Sequence, residues 1–425
     1  MSALIFLVTL LALIALGMPI AFALLLSGVA IMLQLDQFDS QIVVQNAIGG
    51  ADNFVLMAVP FFILAGEFMN AGGLSRRIVE MAGAFVGHLR GGLGYVAIFA
   101  AILLASLSGS AVADTAALAA ILVPMMRQAG YDPARSCGLM AAGGIIAPVI
   151  PPSIGFLLFG VVANVSITRL FLAGIVPGVL MGASLVLAWW LVSRRVDMQL
   201  APRKSYAERA RLLGRGVWAL MLPVIIVGGL KFGIFTPTEA AVVAAAYALL
   251  VGAVVYRELT TGAIYRCLLV SARTSAVVLL LASFAMVASY MITIADVPGQ
   301  VGRSLGVLGD SPLVLTAAMM VVIFLAGMVL DFIPIVLIFT PVFLPIVQQA
   351  GIDPVYFGVI FIVNCSLGMI TPPVGVVLNV VSSIGKVSLA QATRGVLPFL
   401  VAETVVLVAL VLFPALVTVP AQWWR

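Results

Sequence analysis

The chain has 425 residues, 64% of them apolar and only 9% charged, with a formal net charge of +5. That balance excludes a soluble domain folded around one core, which needs a largely polar surface. It also argues against a nucleic-acid binder, because the basic residues are scattered over the loops between apolar runs instead of forming one patch. The solvent for most of this chain is lipid.

The apolar run over residues 2–33 is roughly 48 Å long as a helix, against a hydrocarbon core of about 30 Å, and Gly17 with Pro19 divides it into two spans. Met1 leads into it without a basic segment or small-residue cleavage site, so it is expected to stay in the membrane. Asp36, Asp39 and Asp52 mark an acidic loop, and a third span follows over 55–70. Between 72 and 90 the apolar residues are punctuated by Arg76, Arg77, Glu80, His88 and Arg90, the pattern of an arm lying along the interface. Residues 94–128 are apolar but carry SLSGSAVAD at their centre. Small and polar residues there would expose backbone to lipid, so the segment reads as a hairpin that enters and leaves on one side. A span broken by Pro151 and Pro152 covers 135–163, and a clean one covers 170–192.

The second half repeats this order, with spans at 218–231, 238–256 and 267–294, then an amphipathic piece holding Gly299, Gln300 and Arg303. A hairpin over 313–348 is centred on GMVLDFIP, a broken span lies at 356–384, and a last span at 396–417. The repetition extends to single residues. Pro124, Gln128, Ala129, Gly130, Asp132, Pro133, Pro151, Pro152, Gly174 and Pro177 recur as Pro345, Gln349, Ala350, Gly351, Asp353, Pro354, Pro372, Pro373, Gly395 and Pro398, at a constant offset of 221. Each half then has five crossings plus a hairpin that adds none, and an odd number inverts the second half relative to the first. The predicted fold is an all-α polytopic membrane protein, an inverted repeat of two five-span units, each with one re-entrant hairpin and one broken helix. Residues 1–193 form the first repeat, 194–215 a cytoplasmic linker and 216–425 the second repeat.

Charge supports that count. With the linker (Arg194, Arg195, Arg203, Lys204, Arg209, Arg211, Arg215) inside, 17 Lys and Arg fall inside and four (Arg169, Lys231, Arg303, Arg425) outside. Both termini are then expected to be periplasmic, in a multi-pass protein of a bacterial inner membrane. Cys137, Cys267 and Cys365 stand far apart in apolar stretches and read as packing residues, not as disulfides or a metal cluster.

Paired interruptions at matching places in two apolar halves point to a substrate and ion site. In the first half Ser106, Ser108, Gly109, Ser110, Asp114 and Thr115 at the hairpin tip face Ala147, Pro148, Pro151, Pro152 and Ser153. Proline has no amide hydrogen and clashes with the preceding turn, so nearby carbonyl oxygens lose their helical partners. With hydroxyls they suit a hard cation such as sodium, while half-helix N-termini offer amides to a carboxylate. In the second half Gly327, Asp331 and Pro334 face Asn364, Cys365, Ser366, Thr371, Pro372, Pro373, Gly375 and Asn379. Asp331 is read either as a coupling-ion or gating group or as a helix cap at a wet tip. The sodium candidates are Ser108, Gly109, Ser110, Asp114, Ala147, Pro148, Pro151, Gly327, Asp331, Thr371, Pro372 and Gly375; the substrate candidates are Pro152, Ser153, Asn364, Ser366, Pro373 and Asn379. Glu239 reads as a cap after Thr236, and Glu67 stays open between proton carrier and structural residue. A lone His88 argues against a metal site, and GAFVGHLRGGLG lacks the setting of a phosphate loop, so neither a nucleotide site nor a cofactor other than sodium is expected.

The strings SGSAVADTAALAAILVPMM, AGYDP, APVIPPSIG, FTPTEAA and ITPPVG resemble the large membrane subunit of TRAP transporters, the tripartite ATP-independent periplasmic family (DctM-like), over essentially the whole chain. The resemblance implies an elevator-type ion transporter fold, no enzymatic activity, and sodium-coupled symport of an organic acid such as a dicarboxylate or sugar acid. It also implies two partners: a periplasmic substrate-binding protein and a small four-span membrane subunit, separate here because the chain holds only the large one. The alternatives are a self-sufficient organic-anion symporter of the same superfamily and, from other classes, a passive channel or an intramembrane enzyme. The enzyme is disfavoured because no Ser/His pair or paired intramembrane aspartates occur.

Overall fold

The computed structural model describes residues 1–194, 202–306 and 311–422; Arg195 and Arg425 of the charge count, and residues 195–201 of the expected linker, lie outside them. Among the described residues the chain forms twenty α-helices and no strand. Helices α1 (Ser2–Ala15) and α2 (Ile20–Gln34) are parted by Gly17 at φ 84° and by Pro19, as expected. At 14 and 15 residues each is shorter than the roughly 20 that cross a bilayer upright. The acidic loop is partly helical. Asp39 accepts a hydrogen bond from the Gln41 amide (2.7 Å) and starts α3 (Ser40–Ala51), which a 3₁₀ turn (Phe54–Met57) joins to α4 (Ala58–Ala71). The polar residues of SQIVVQNAIGGA hid this helix from a hydropathy reading.

Then come the arm α5 (Leu74–Val86) and the first hairpin, α6 (Gly92–Ser108) and α7 (Ala111–Gln128). The first broken span follows as α8 (Pro133–Gly144) and α9 (Ile154–Val162), and α10 (Ile167–Ser193) is long and continuous. In the second half, α11 (Tyr206–Lys231) starts inside the segment read as a linker, because Ser205 caps it by accepting from the Glu208 amide (3.2 Å). Helix α12 (Pro237–Leu250) ends in a π turn over Val251–Val255, and α13 (Thr261–Ile294) is one helix of 34 residues where the first half has α3 and α4. The arm α14 (Val297–Gly306) precedes the second hairpin, α15 (Pro312–Gly327) and α16 (Phe332–Gln349). The second broken span is α17 (Pro354–Gly368) and α18 (Val376–Gly385); α19 (Leu389–Leu412) and a short α20 (Ala415–Gln422) close the chain.

Among the described residues, seven helical segments are long and apolar enough to cross a membrane. Six coincide with expected spans and the seventh is α16, an arm of the second hairpin. The shortfall from ten falls on α1, α2 and the two interrupted spans, whose breaks leave short pieces.

Small residues set the helix contacts, as lipid-embedded packing favours. A Cβ on Gly72, directly after α4, would lie 3.0 Å from the Gly252 Cα in the π turn that follows α12, and one on Gly28 of α2 would lie 3.2 Å from the Ala288 Cα of α13. Helices α8 and α19 cross where Gly138 meets the Gly395 backbone. The Trp189 ring of α10 is sandwiched between Tyr131 and Phe399 at 6.0 and 6.2 Å, and its indole N–H donates to the Gly91 carbonyl (2.8 Å). Helices α1–α5 and α11–α13 pack chiefly on one another, and α6–α10 with α15–α20 form a second group. Both hairpins and both breaks belong to the second group.

Candidate functional site

The first tip is built from three consecutive residues. Helix α6 stops at Ser108, Gly109 turns the chain at φ +63°, and Ser110 caps α7 by accepting from the Ala113 amide (3.4 Å). The Ser108 hydroxyl donates to Asp114 Oδ1 and accepts from the Ser110 amide at 3.2 Å. Asp114 and Thr115 are buried, and neither Asp114 Oδ2 nor the Thr115 hydroxyl has a hydrogen-bond partner. Opposite the tip, α8 unwinds after Gly144. No backbone amide among the described residues bonds to the carbonyl oxygens of Ala147, Pro151 or Pro152. Ser153 restarts the helix by accepting from the Phe156 amide (3.1 Å) while donating to the Pro148 carbonyl. Gly109 lies so close to this loop that a Cβ would sit 2.6 Å from the Pro152 oxygen, and a Cβ on Gly66 of α4 would sit 3.2 Å from the Ser108 Cβ. The predicted residues of the first constellation therefore come together.

The second tip uses a different lock. Met328 follows α15, and its carbonyl accepts from the amides of both Val374 (3.2 Å) and Gly375 (3.3 Å), tying the hairpin to the break. A Cβ on Gly327 would lie 3.0 Å from the Gly368 Cα and 3.3 Å from the Cys365 oxygen. Asp331 is the N-cap of α16, accepting from the Phe332 amide at 2.7 Å. Thr371 bonds back to the Leu367 carbonyl (2.8 Å), and Gly375 adopts φ +52°. Pro151–Pro152 and Pro372–Pro373 are the two cis peptide bonds among the described residues.

The substrate candidates are not gathered at one place. Pro152 and Ser153 are wholly buried, whereas Pro373 and Asn379 are exposed, with Asn379 bonded to the Val374 carbonyl (2.8 Å). Asn364 and Ser366 lie inside α17, ahead of the break. Asn364 donates to the Met320 carbonyl of α15 (2.5 Å), leaving its oxygen buried without a partner, and Ser366 bonds to the Ile362 carbonyl (2.8 Å). Pro334, one turn into α16, is buried. Glu239 completes a capping box with Thr236, and Glu67 is half-buried directly after Gly66.

Sequence reasoning passed over Glu403. It lies mid-way along α19, fully buried, and both carboxylate oxygens lack partners. Its signal was available, because one acidic residue within an otherwise apolar span is costly and rare.

What the first tip offers chemically is a hard-cation environment: one carboxylate, several hydroxyls and unpartnered carbonyl oxygens around a glycine turn. The unpaired Asp114 and Thr115 oxygens fit such an ion. The second tip offers Asp331, the Thr371 region and the amides at Val374 and Gly375, of which the amides are already committed to Met328.

The chain matches, over residues 7–416, the family model described as tripartite ATP-independent periplasmic transporter, DctM component. It is 53% identical over 423 residues, covering both chains completely, to the 2,3-diketo-L-gulonate TRAP transporter large permease protein of Escherichia coli. It is 38% identical to the sialic acid TRAP transporter large permease protein of Vibrio cholerae, over 94% of this chain and 93% of that one. Among solved structures the YdaH transporter of Alcanivorax borkumensis aligns with a TM-score of 0.64 at 21% identity, over 88% of this chain and 87% of that chain, a likeness of fold. Hairpin tips set against unwound helices, together with a full-length match to the family, place this chain among the DctM components of tripartite ATP-independent periplasmic transporters.

Proposed function

We propose that the chain is the permease through which an organic acid enters the cell, coupled to sodium, after delivery by a periplasmic binding protein and in complex with a small membrane subunit. The observation that carries this reading is the first tip, where unpartnered oxygens of Asp114 and Thr115 stand beside a loop whose Ala147, Pro151 and Pro152 carbonyls accept no backbone amide. The division of the helices into two groups supports an elevator, in which the group carrying both hairpins moves against the other and the 221-residue repeat supplies inverted halves. The connection at α5–α6 joins the two groups and is a natural hinge. High identity to a diketogulonate permease makes a sugar-derived keto acid the first substrate to try, with a C4-dicarboxylate as the contrast.

The test is uptake into proteoliposomes holding the chain with its small membrane partner, supplied with loaded binding protein. Accumulation is expected only with sodium higher on the binding-protein side. Equal uptake when choline replaces sodium removes sodium coupling, and uptake without the binding protein favours the self-sufficient symporter.

A further inference from the structure

A cleft of about 430 Å³ lies between the arm α5, the first half of α11 and the end of the π turn after α12, lined by Arg76, Arg77, Arg215, Glu80, Trp218 and Tyr256 among others. Its cations are arranged, not merely crowded. Arg77 is held three ways: it donates to the Gly73 carbonyl (2.9 Å) and to Glu258 Oε1 (2.9 Å), and its guanidinium stacks 3.7 Å over the Tyr256 ring. Arg76 reaches the same Glu258 oxygen at 2.8 Å and lies 3.6 Å from Glu80. The Tyr256 hydroxyl donates to the Arg215 carbonyl (2.6 Å), fixing α11 against this corner. The exposed Arg215 side chain adds a third cation to the cleft lining, where Glu258 already serves both Arg76 and Arg77 and Glu80 lies near Arg76 alone. An oxyanion completes such a set with charge-assisted bonds to a forked donor.

The apolar surroundings narrow the ligand. Helix α11 is the least buried of the seven long apolar helices, and Trp218, Met221 and Val224 are exposed along it, leading away from the cleft. Tryptophan sits favourably at headgroup depth, and basic pockets between helices at the cytoplasmic side recognise anionic headgroups. The charge distribution of the sequence assigns Arg76, Arg77 and Arg215 to that side. A free phosphate satisfies only the basic end, whereas an amphiphile satisfies both. We infer that this cleft binds the phosphate headgroup of an anionic glycerophospholipid whose acyl chains run along the exposed face of α11.

The experiment uses the purified full-length chain and reads the phosphatidylglycerol concentration that half-maximally raises its melting temperature, with bound lipid counted by native mass spectrometry. At about 1 kcal/mol per arginine near a membrane surface, Arg76→Ala with Arg215→Ala raises that midpoint roughly 30-fold. Arg211→Ala, an exposed arginine of α11 outside the cleft, leaves it unchanged, and Arg76→Lys with Arg215→Lys retains part of the binding and shows that the site still folds. Phosphatidylcholine and inorganic phosphate are expected to stabilise weakly or not at all. The proposal is overturned if inorganic phosphate protects as well as the lipid, since the ligand is then a soluble anion. It is equally overturned if Arg211→Ala matches the double alanine variant, or if the small membrane partner displaces the lipid and crosslinks to the cleft.

Discussion

Gly109→Ala is the sharpest probe of the first tip, because two separate costs meet at one methyl group. The first is conformational: φ is +63°, where a side chain costs about 1–2 kcal/mol. The second is contact. The new Cβ would stand 2.6 Å from the Pro152 oxygen and 3.2 Å from the Ser153 Cα, both backbone atoms that no rotamer change moves aside. Relief needs a separation of tip and loop by roughly 0.8 Å, the gap to ordinary van der Waals distance. Gly130 provides the control, since it has φ +85° but nothing within 4 Å of an added Cβ. Gly130→Ala therefore bears the conformational cost alone. If only 1.4 kcal/mol of the contact cost falls on the cation-bound form, half-saturating sodium rises about tenfold. The assay is sodium-dependent uptake in proteoliposomes at matched insertion of both variants. Gly109→Ala is expected to need at least tenfold more sodium, and Gly109→Val to abolish uptake, while Gly130→Ala transports normally. Parallel behaviour of Gly109→Ala and Gly130→Ala would refute the claim that close approach of tip and break forms the site.

Gly327→Val places its side chain against the Gly368 backbone at 3.0 Å and is expected to stop uptake without preventing insertion, checked by transport at equal membrane content. Ser110→Ala removes the α7 cap, worth about 1 kcal/mol, and should lower the melting temperature slightly while raising the sodium requirement less than Gly109→Ala does. Glu403→Met replaces a buried carboxyl lacking any partner by an apolar side chain and should keep or raise the melting temperature; a clear fall means that the carboxyl is satisfied in the membrane. A cysteine at Asp39 should react with an impermeant reagent in intact cells and one at Lys204 should not, and the reverse pattern inverts the proposed orientation.

Punctuation residues made most of the fold legible. Gly17 and Pro19 part α1 from α2, Asp132–Pro133 and Asp353–Pro354 start α8 and α17 as cap and first-turn proline, and the double prolines stand where both helices unwind. Misreadings fell where hydropathy and helix formation diverge. Helix α3 is too polar to look like a span yet is fixed by its Asp39 cap and by packing on α13, where Ser283 donates to the Ala47 carbonyl (2.5 Å) and Gly50 meets Met286. Tyr206–Arg215 carries enough charge to look like a solvated linker, but charge does not oppose helix, and Ser205 begins one.

The candidate site was legible to the extent that the two halves agree, and obscure where they differ. Both tips have a capped second helix, which the constant offset reveals in Ser110 and Asp331, and both have a glycine pressed on backbone, Gly109 and Gly327, which it does not align. The offset does not reveal that Pro151–Ser153 are covered while Pro373 and Val374 are exposed, because cover depends on which helices lie across each loop. Nor does it flag Glu403, whose partner at the same offset is Gly182. In the first half that glycine lets α10 close on Ile102 of α6, and in the second the same place holds a buried carboxyl. A repeat conserves the backbone solution and leaves the side chains free to diverge. Position 182/403 is one such place, where one copy packs and the other carries a titratable group.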